Sequence, residues 1–140
     1  MPVTRLQNYI DGAWVDSAAS STYPVTNPAT GAVIGECPLS GADELDAAVR
    51  SARKAFESWR RVPVQERVQY LFRFKTLMEE HAEELAAIVT RENGKTLSEA
   101  MGSVRRGIQM IDTATGAPSL MMGQALEDIS SGIDCESIRQ

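Results

Sequence analysis

Between residues 40 and 114 apolar positions recur at almost four-residue spacing, whereas on either side they alternate or come in short runs. In the first segment Leu45, Ala48, Val49, Ala52, Phe56 and Trp59 fall at i, i+3, i+4, i+7, i+11 and i+14, which predicts one buried helical stripe. Ser40 is the expected N-cap, Asp43 and Glu44 suit the positive end of the helix dipole, and Arg60-Arg61 suit its negative end. Pro63 stops this helix and begins a second, expected from Val64 to Arg91. That helix carries two apolar rows: Val68, Leu71, Phe72, Met78, Leu85 and Val89, and beside them Tyr70, Phe74, Leu77 and Ile88. So wide an apolar face predicts packing against two neighbours.

The stretch Glu92-Asn93-Gly94-Lys95-Thr96-Leu97-Ser98-Glu99 both ends a helix and starts one. Asn-Gly offers a left-handed residue for the stop, and Thr96 with Glu99 forms a capping box for the start. In the third helix Leu97, Ala100, Met101, Val104, Ile108 and Ile111 make the apolar stripe, with Arg105 at its edge. Arg106 falls opposite the stripe's centre, beside Gly102, Met110 and Thr113. By spacing it faces solvent, but on a face with no lawn of Lys and Glu, as expected where further chain would complete a cleft.

At the amino end two β-prone runs within residues 6–15 flank Asp11-Gly12, the residue choice of a type I′ hairpin. Tyr23 to Thr26 extends into an Asn27-Pro28-Ala29-Thr30-Gly31 turn, and Ala32 to Cys37 reads as a strand ended by Pro38. At the other end Leu126–Ile129 and Ile133–Ile138 alternate weakly around a Ser130-Ser131-Gly132 turn. Met121-Met122 reads as core filler.

Composition narrows the picture. The 140 residues suffice for one ordinary domain with a core. A formal net charge of −5 opposes non-specific binding to nucleic acid or an anionic membrane. Cys37 and Cys135 form no CxxC, which disfavours a disulfide framework or zinc site and suits a reducing compartment. Met1 to Arg5 has no signal-peptide character, and no apolar run approaches the ~20 residues of a membrane span. The expectation is a soluble, cytoplasmic protein. Glu79, Glu80, Glu83 and Glu84 with His81 read as a solvated helix face and not a metal cluster. No glycine-rich phosphate loop, GxSxG, HExxH or Rossmann fingerprint occurs. Spacing and composition give a helix-rich domain with a small β component.

Several segments in order resemble the amino-terminal part of an aldehyde dehydrogenase: Asn8-Tyr9-Ile10-Asp11-Gly12-Ala13-Trp14, Asn27-Pro28-Ala29-Thr30-Gly31, Ala47-Ala48-Val49 through Phe56 and Trp59, and Glu92-Asn93-Gly94-Lys95-Thr96. Val104-Arg105-Arg106-Gly107-Ile108, Gly116-Ala117-Pro118-Ser119-Leu120-Met121-Met122-Gly123, and Gly132-Ile133-Asp134 with Arg139-Gln140 are most similar to the CoA-acylating methylmalonate-semialdehyde dehydrogenases. The resemblance implies an α+β fragment of the α/β aldehyde dehydrogenase fold, with an N-terminal hairpin and strand, three long helices and C-terminal strands. It implies that residues 1–123 begin an NAD-binding domain and 124–140 the oligomerisation strands.

In that family a cysteine thiolate attacks the aldehyde, hydride passes to NAD, and the thioester goes to coenzyme A with loss of carbon dioxide. Neither Cys37 nor Cys135 matches that cysteine, so the isolated chain is expected to be inactive and to bind neither NAD nor coenzyme A well. Arg106 matches the arginine that holds the semialdehyde carboxylate, and Val25, Thr26 and Glu92 match segments whose backbone carbonyls bind a monovalent cation in some members. Expected partners are further copies or a full-length paralogue, with no nucleic acid and no membrane. Cys135, Glu136 and Ile138 depart from the subfamily pattern, which bears on how the tail strands pair. Two other readings remain: a non-enzymatic module that binds a full-length paralogue, and a piece of another aldehyde dehydrogenase subfamily.

Overall fold

The computed structural model describes residues 3–139. Met1 and Pro2 of the N-terminal reading, and Gln140 of the resemblance, lie outside the described residues. Strands β1 (Thr4–Arg5), β2 (Asn8–Ile10), β3 (Ala13–Val15), β4 (Thr22–Thr26) and β5 (Val33–Pro38) come first. Helices α1 (Ala42–Trp59), α2 (Val64–Glu80), α3 (Ala82–Asn93), α4 (Leu97–Ala114) and the short α5 (Ala117–Leu120) follow, then strands β6 (Gln124–Ser130) and β7 (Ile133–Ser137). The expected α+β fragment is therefore present. The helix expected over 64–91 is instead two, divided at His81, whose φ of −104° and ψ of 17° leave the helical range.

Two compact units are formed, one from residues 1–62 and 83–103, the other from 63–82 and 104–140. In the first, β2 and β3 pair antiparallel around Asp11 and Gly12, both at positive φ (54° and 78°), the conformation a type I′ turn demands. Tyr9 and Trp14 face each other across this hairpin with ring centroids 5.0 Å apart. A three-stranded sheet runs β1-β5-β4, with β1 parallel and β4 antiparallel to β5. The two-residue β1 escaped the sequence reading because it is too short to show alternation.

The N-cap of α1 is Gly41, not Ser40. Glu44 Oε2 accepts from the Gly41 N–H at 2.9 Å and Oε1 from the Ala18 N–H at 3.0 Å, so one carboxylate ties a loop to the helix start. Its proton affinity is lowered, first by the Ser17 hydroxyl and next by the Gly41 N–H. Ser40 is used elsewhere, accepting from Asn8 Nδ2 at 2.9 Å and donating to the buried Ser17 hydroxyl at 3.2 Å. The α1 stripe expected to be buried is largely not: Leu45, Val49, Phe56 and Trp59 are exposed, and Ala47, Ala48 and Ser51 are the half-buried side.

In the second unit α2 buries Val68 and half-buries Leu71 and Met78, while Tyr70, Phe74 and Leu77 stand exposed. Part of its wide apolar face is thus left uncovered among the described residues. β6 and β7 pair antiparallel with an irregularity between Leu126 and Ser130, where Asp128 takes a φ of 50° and its N–H donates to Asp134 at 2.9 Å. Every residue of both strands is exposed.

Candidate functional site

Helix α3 ends where Gly94 adopts a φ of +81° and donates its N–H to the Thr90 carbonyl at 2.9 Å. A Cβ at this position would lie 2.8 Å from Pro28 Cγ, so the Asn27–Gly31 turn packs against the corner at van der Waals limit. The capping box forms as its sequence predicts. Thr96 N–H donates to Glu99 Oε2 at 3.1 Å and Glu99 N–H to Thr96 Oγ1 at 3.4 Å, while the Thr96 hydroxyl donates to the same carboxylate at 2.8 Å. The Glu99 carboxyl is held below its usual range by that hydroxyl first, then by the Thr96 N–H and the Lys95 charge. Lys95 Nζ in turn donates to Ser103 Oγ at 3.2 Å.

Further along α4, Val104 is buried, Ile108 and Ile111 are half-buried, and Arg105 and Arg106 are exposed. One helical turn to either side of Arg106 stand Gly102 and Met110, neither of them charged, and among the described residues Arg106 has no ion-pair partner. Helix α4 approaches α2 closely at Gly107, where a Cβ would sit 3.9 Å from Met78 Cε. Lys75 of α2 binds Asp112 of α4 at 2.7 Å, with Glu79 at 4.0 Å on its other side, and Asp112 is the main reason the Lys75 proton is held more tightly than usual. This pair joins residues 37 apart and could not be seen in the sequence.

A cleft of about 550 Å³ in the first unit is lined by Thr4, Val25, Gly35, Arg91 and Glu92, among others. Val25 and Glu92, far apart in sequence, are thereby brought to one place; Thr26 adjoins them on β4, at the β-bulge between Val25 and Thr26. The extra residue there is Ile34 of β5, since Val25 pairs with Gly35 and Thr26 with Val33. Of the last-turn carbonyls of α3, Thr90 accepts from Gly94, while among the described residues Glu92 receives no non-helical backbone donor. Free carbonyl oxygens are the donor type a monovalent cation takes. The Glu92 carboxylate is turned to Arg91 at 4.0 Å, so the fit rests on backbone oxygens. Among the described residues no group of three or more His, Cys, Asp or Glu side chains is placed to hold a metal ion.

The aldehyde dehydrogenase family model matches residues 14–140. The chain belongs to the aldehyde dehydrogenase family. Malonate-semialdehyde dehydrogenase 2 of Geobacillus kaustophilus is 52% identical to this aldehyde dehydrogenase chain over 132 residues, which cover 94% of it and 27% of that relative. A Sinorhizobium meliloti structure assigned to methylmalonate-semialdehyde dehydrogenase and complexed with NAD superimposes with a TM-score of 0.93 at 34% identity, over 99% of this chain and 28% of that one. Methylmalonate-semialdehyde dehydrogenase of Oceanimonas doudoroffii gives a TM-score of 0.90, also at 34% identity, over 97% of this chain and 28% of that one. The chain thus spans little more than a quarter of the relatives it matches. The resemblance to the aldehyde dehydrogenases read from the ordered segments is borne out.

Proposed function

We propose that these residues form the amino-terminal section of an NAD-dependent, CoA-acylating malonate- or methylmalonate-semialdehyde dehydrogenase, in which Arg106 holds the substrate carboxylate. The observation that carries this reading is Arg106 itself: an exposed guanidinium without an acidic partner among the described residues, on a helix face of Gly102, Met110 and Thr113. A planar, permanently charged fork suits bidentate capture of a carboxylate. An arginine serving only solubility would more commonly sit among acids at i±4. The relatives' names, malonate- and methylmalonate-semialdehyde dehydrogenase, support a substrate with that carboxylate.

In this reading NAD accepts the hydride and coenzyme A accepts the acyl group in the full-length enzyme. The nucleophilic cysteine belongs to the part of the relatives this chain does not span, and the 140 residues alone do not catalyse the oxidation. Residues 1–123 contribute to the NAD-binding domain, and the exposed β6–β7 hairpin begins the strands through which copies associate. The backbone carbonyls of Val25, Thr26 and Glu92 hold a monovalent cation that stiffens the corner.

In a full-length enzyme carrying this segment, Arg106→Leu should lower kcat/KM for malonate semialdehyde by about 1.5–3 kcal/mol, the worth of a lost charge-assisted bond, while sparing an uncharged aldehyde of equal length. Equal losses on both substrates would remove the assignment. NAD reduction by the purified 140-residue chain with semialdehyde would sink the claim that it is inactive alone.

A second reading is favoured by the exposed apolar rows of α1 and α2: the chain binds a full-length paralogue without catalysing anything. Co-elution with such an enzyme is its expected outcome, and separate elution at micromolar concentration would discard it.

A further inference from the structure

Arg67 lies in the first turns of α2, and in the same compact unit Met121 is the C-cap of α5. The guanidinium is half-buried, and its Nη2 N–H points at Met121 Sδ from 3.9 Å. Its Nε–H is fully covered and has no acceptor among the described residues. A thioether is a weak acceptor, and a charged donor buried without a partner loses its hydration for no return. Arg67 is therefore short of acceptors at the point where a half-buried sulfur touches it. We propose that Met121 is a methionine-oxidation site whose sulfoxide oxygen is taken by the Arg67 guanidinium.

The co-reactant is a peroxide. The sulfur lone pair attacks the terminal peroxide oxygen and the O–O bond breaks. Sulfur loses two electrons and gains the oxygen. The other oxygen leaves as water or alcohol, taking the proton. The new S–O dipole carries a strong acceptor from the sulfur towards the N–H groups, within ordinary hydrogen-bond range. Sulfoxide formation usually loosens a packed methionine by making it polar. Here it adds the acceptor that Arg67 lacks and strengthens the α2–α5 contact. Met122, the next residue, is 70% exposed, and no hydrogen bond to its sulfur is formed among the described residues, so it serves as the internal control.

The test oxidises the 140-residue chain with hydrogen peroxide, maps oxygen gain by peptide mass, and compares Tm before and after, in a Met110→Leu, Met122→Leu, Cys37→Ser, Cys135→Ser background that removes the exposed methionine and cysteine sulfurs of the described residues. One oxygen on Met121 and a Tm raised by a few degrees are expected, reversed by methionine sulfoxide reductase. With Arg67→Leu the same oxidation should lower Tm. Arg67→Lys, which keeps the charge but not Nε–H or the fork, replaces it if the leucine chain does not fold, and should abolish the rise. The proposal is overturned if Met121 stays unmodified while Met110 and Met122 of the unsubstituted chain are fully oxidised. It is equally overturned if oxidation shifts Tm identically with arginine and lysine at position 67.

Discussion

Two glycines of the region around α4 have opposite expected responses to alanine. At Gly94 the left-handed backbone alone costs about 1–2 kcal/mol for a residue with a Cβ, and that Cβ would lie 2.8 Å from the Pro28 ring. Gly94→Ala should therefore lower the urea midpoint clearly. Gly102 is mid-helix with nothing within 4 Å of where its Cβ would be. Gly102→Ala should raise stability by about 0.5–1 kcal/mol in the same titration, because helical glycine costs backbone entropy. Asn93-Gly94 and Asp11-Gly12 were legible in the sequence because positive φ is a local property that few residues tolerate. The contacts of Arg67 with Met121 and of Lys75 with Asp112 were not, since each joins residues distant along the chain.

The corner box gives α4 its start, and its contribution depends on pH. Glu99 has a lowered folded-state pKa, so its stabilisation is complete above the unfolded carboxylate pKa and is lost as pH falls through the folded one. Melts of wild type and Glu99→Gln should therefore differ at neutral pH and converge in acid; a gap that persists in acid would assign the effect to something other than the carboxylate. Thr96→Ala should cost about 1 kcal/mol as a lost N-cap. Hairpin, corner and helix periods were readable because they follow from nearest neighbours. The break at His81 was not: Glu79-Glu80-His81-Ala82-Glu83-Glu84 contains no proline or glycine, and nothing local asks the chain to leave the helix there. The N-cap of α1 moved from Ser40 to Gly41 for a related reason, the Ser40 hydroxyl being engaged by Asn8 and Ser17.

At the scale of the whole chain, Val68, Ala86, Ala100 and Val104 are buried apolar side chains, while Leu45, Phe56, Trp59, Tyr70 and Phe74 remain exposed. Phe56→Ser should thus change the stability of the 140-residue chain by less than about 0.5 kcal/mol, whereas Val104→Ala should cost about 1.5 kcal/mol from two buried carbons. Urea unfolding checks both, and a large loss at Phe56 would mean its face is already covered. Among the described residues no helix is long and apolar enough to cross a membrane, which agrees with the hydropathy pattern. By itself the sequence determined the family, the hairpin turn, the corner and the order of elements apart from β1, α5 and the break at His81, since ordered motifs, side-chain period and backbone permissiveness are written residue by residue. Only the tertiary structure decided which apolar stripes are covered, because burial requires a second surface and periodicity names only the face that seeks one. It likewise decided that Val25 and Glu92 share a cleft and that Lys75 meets Asp112.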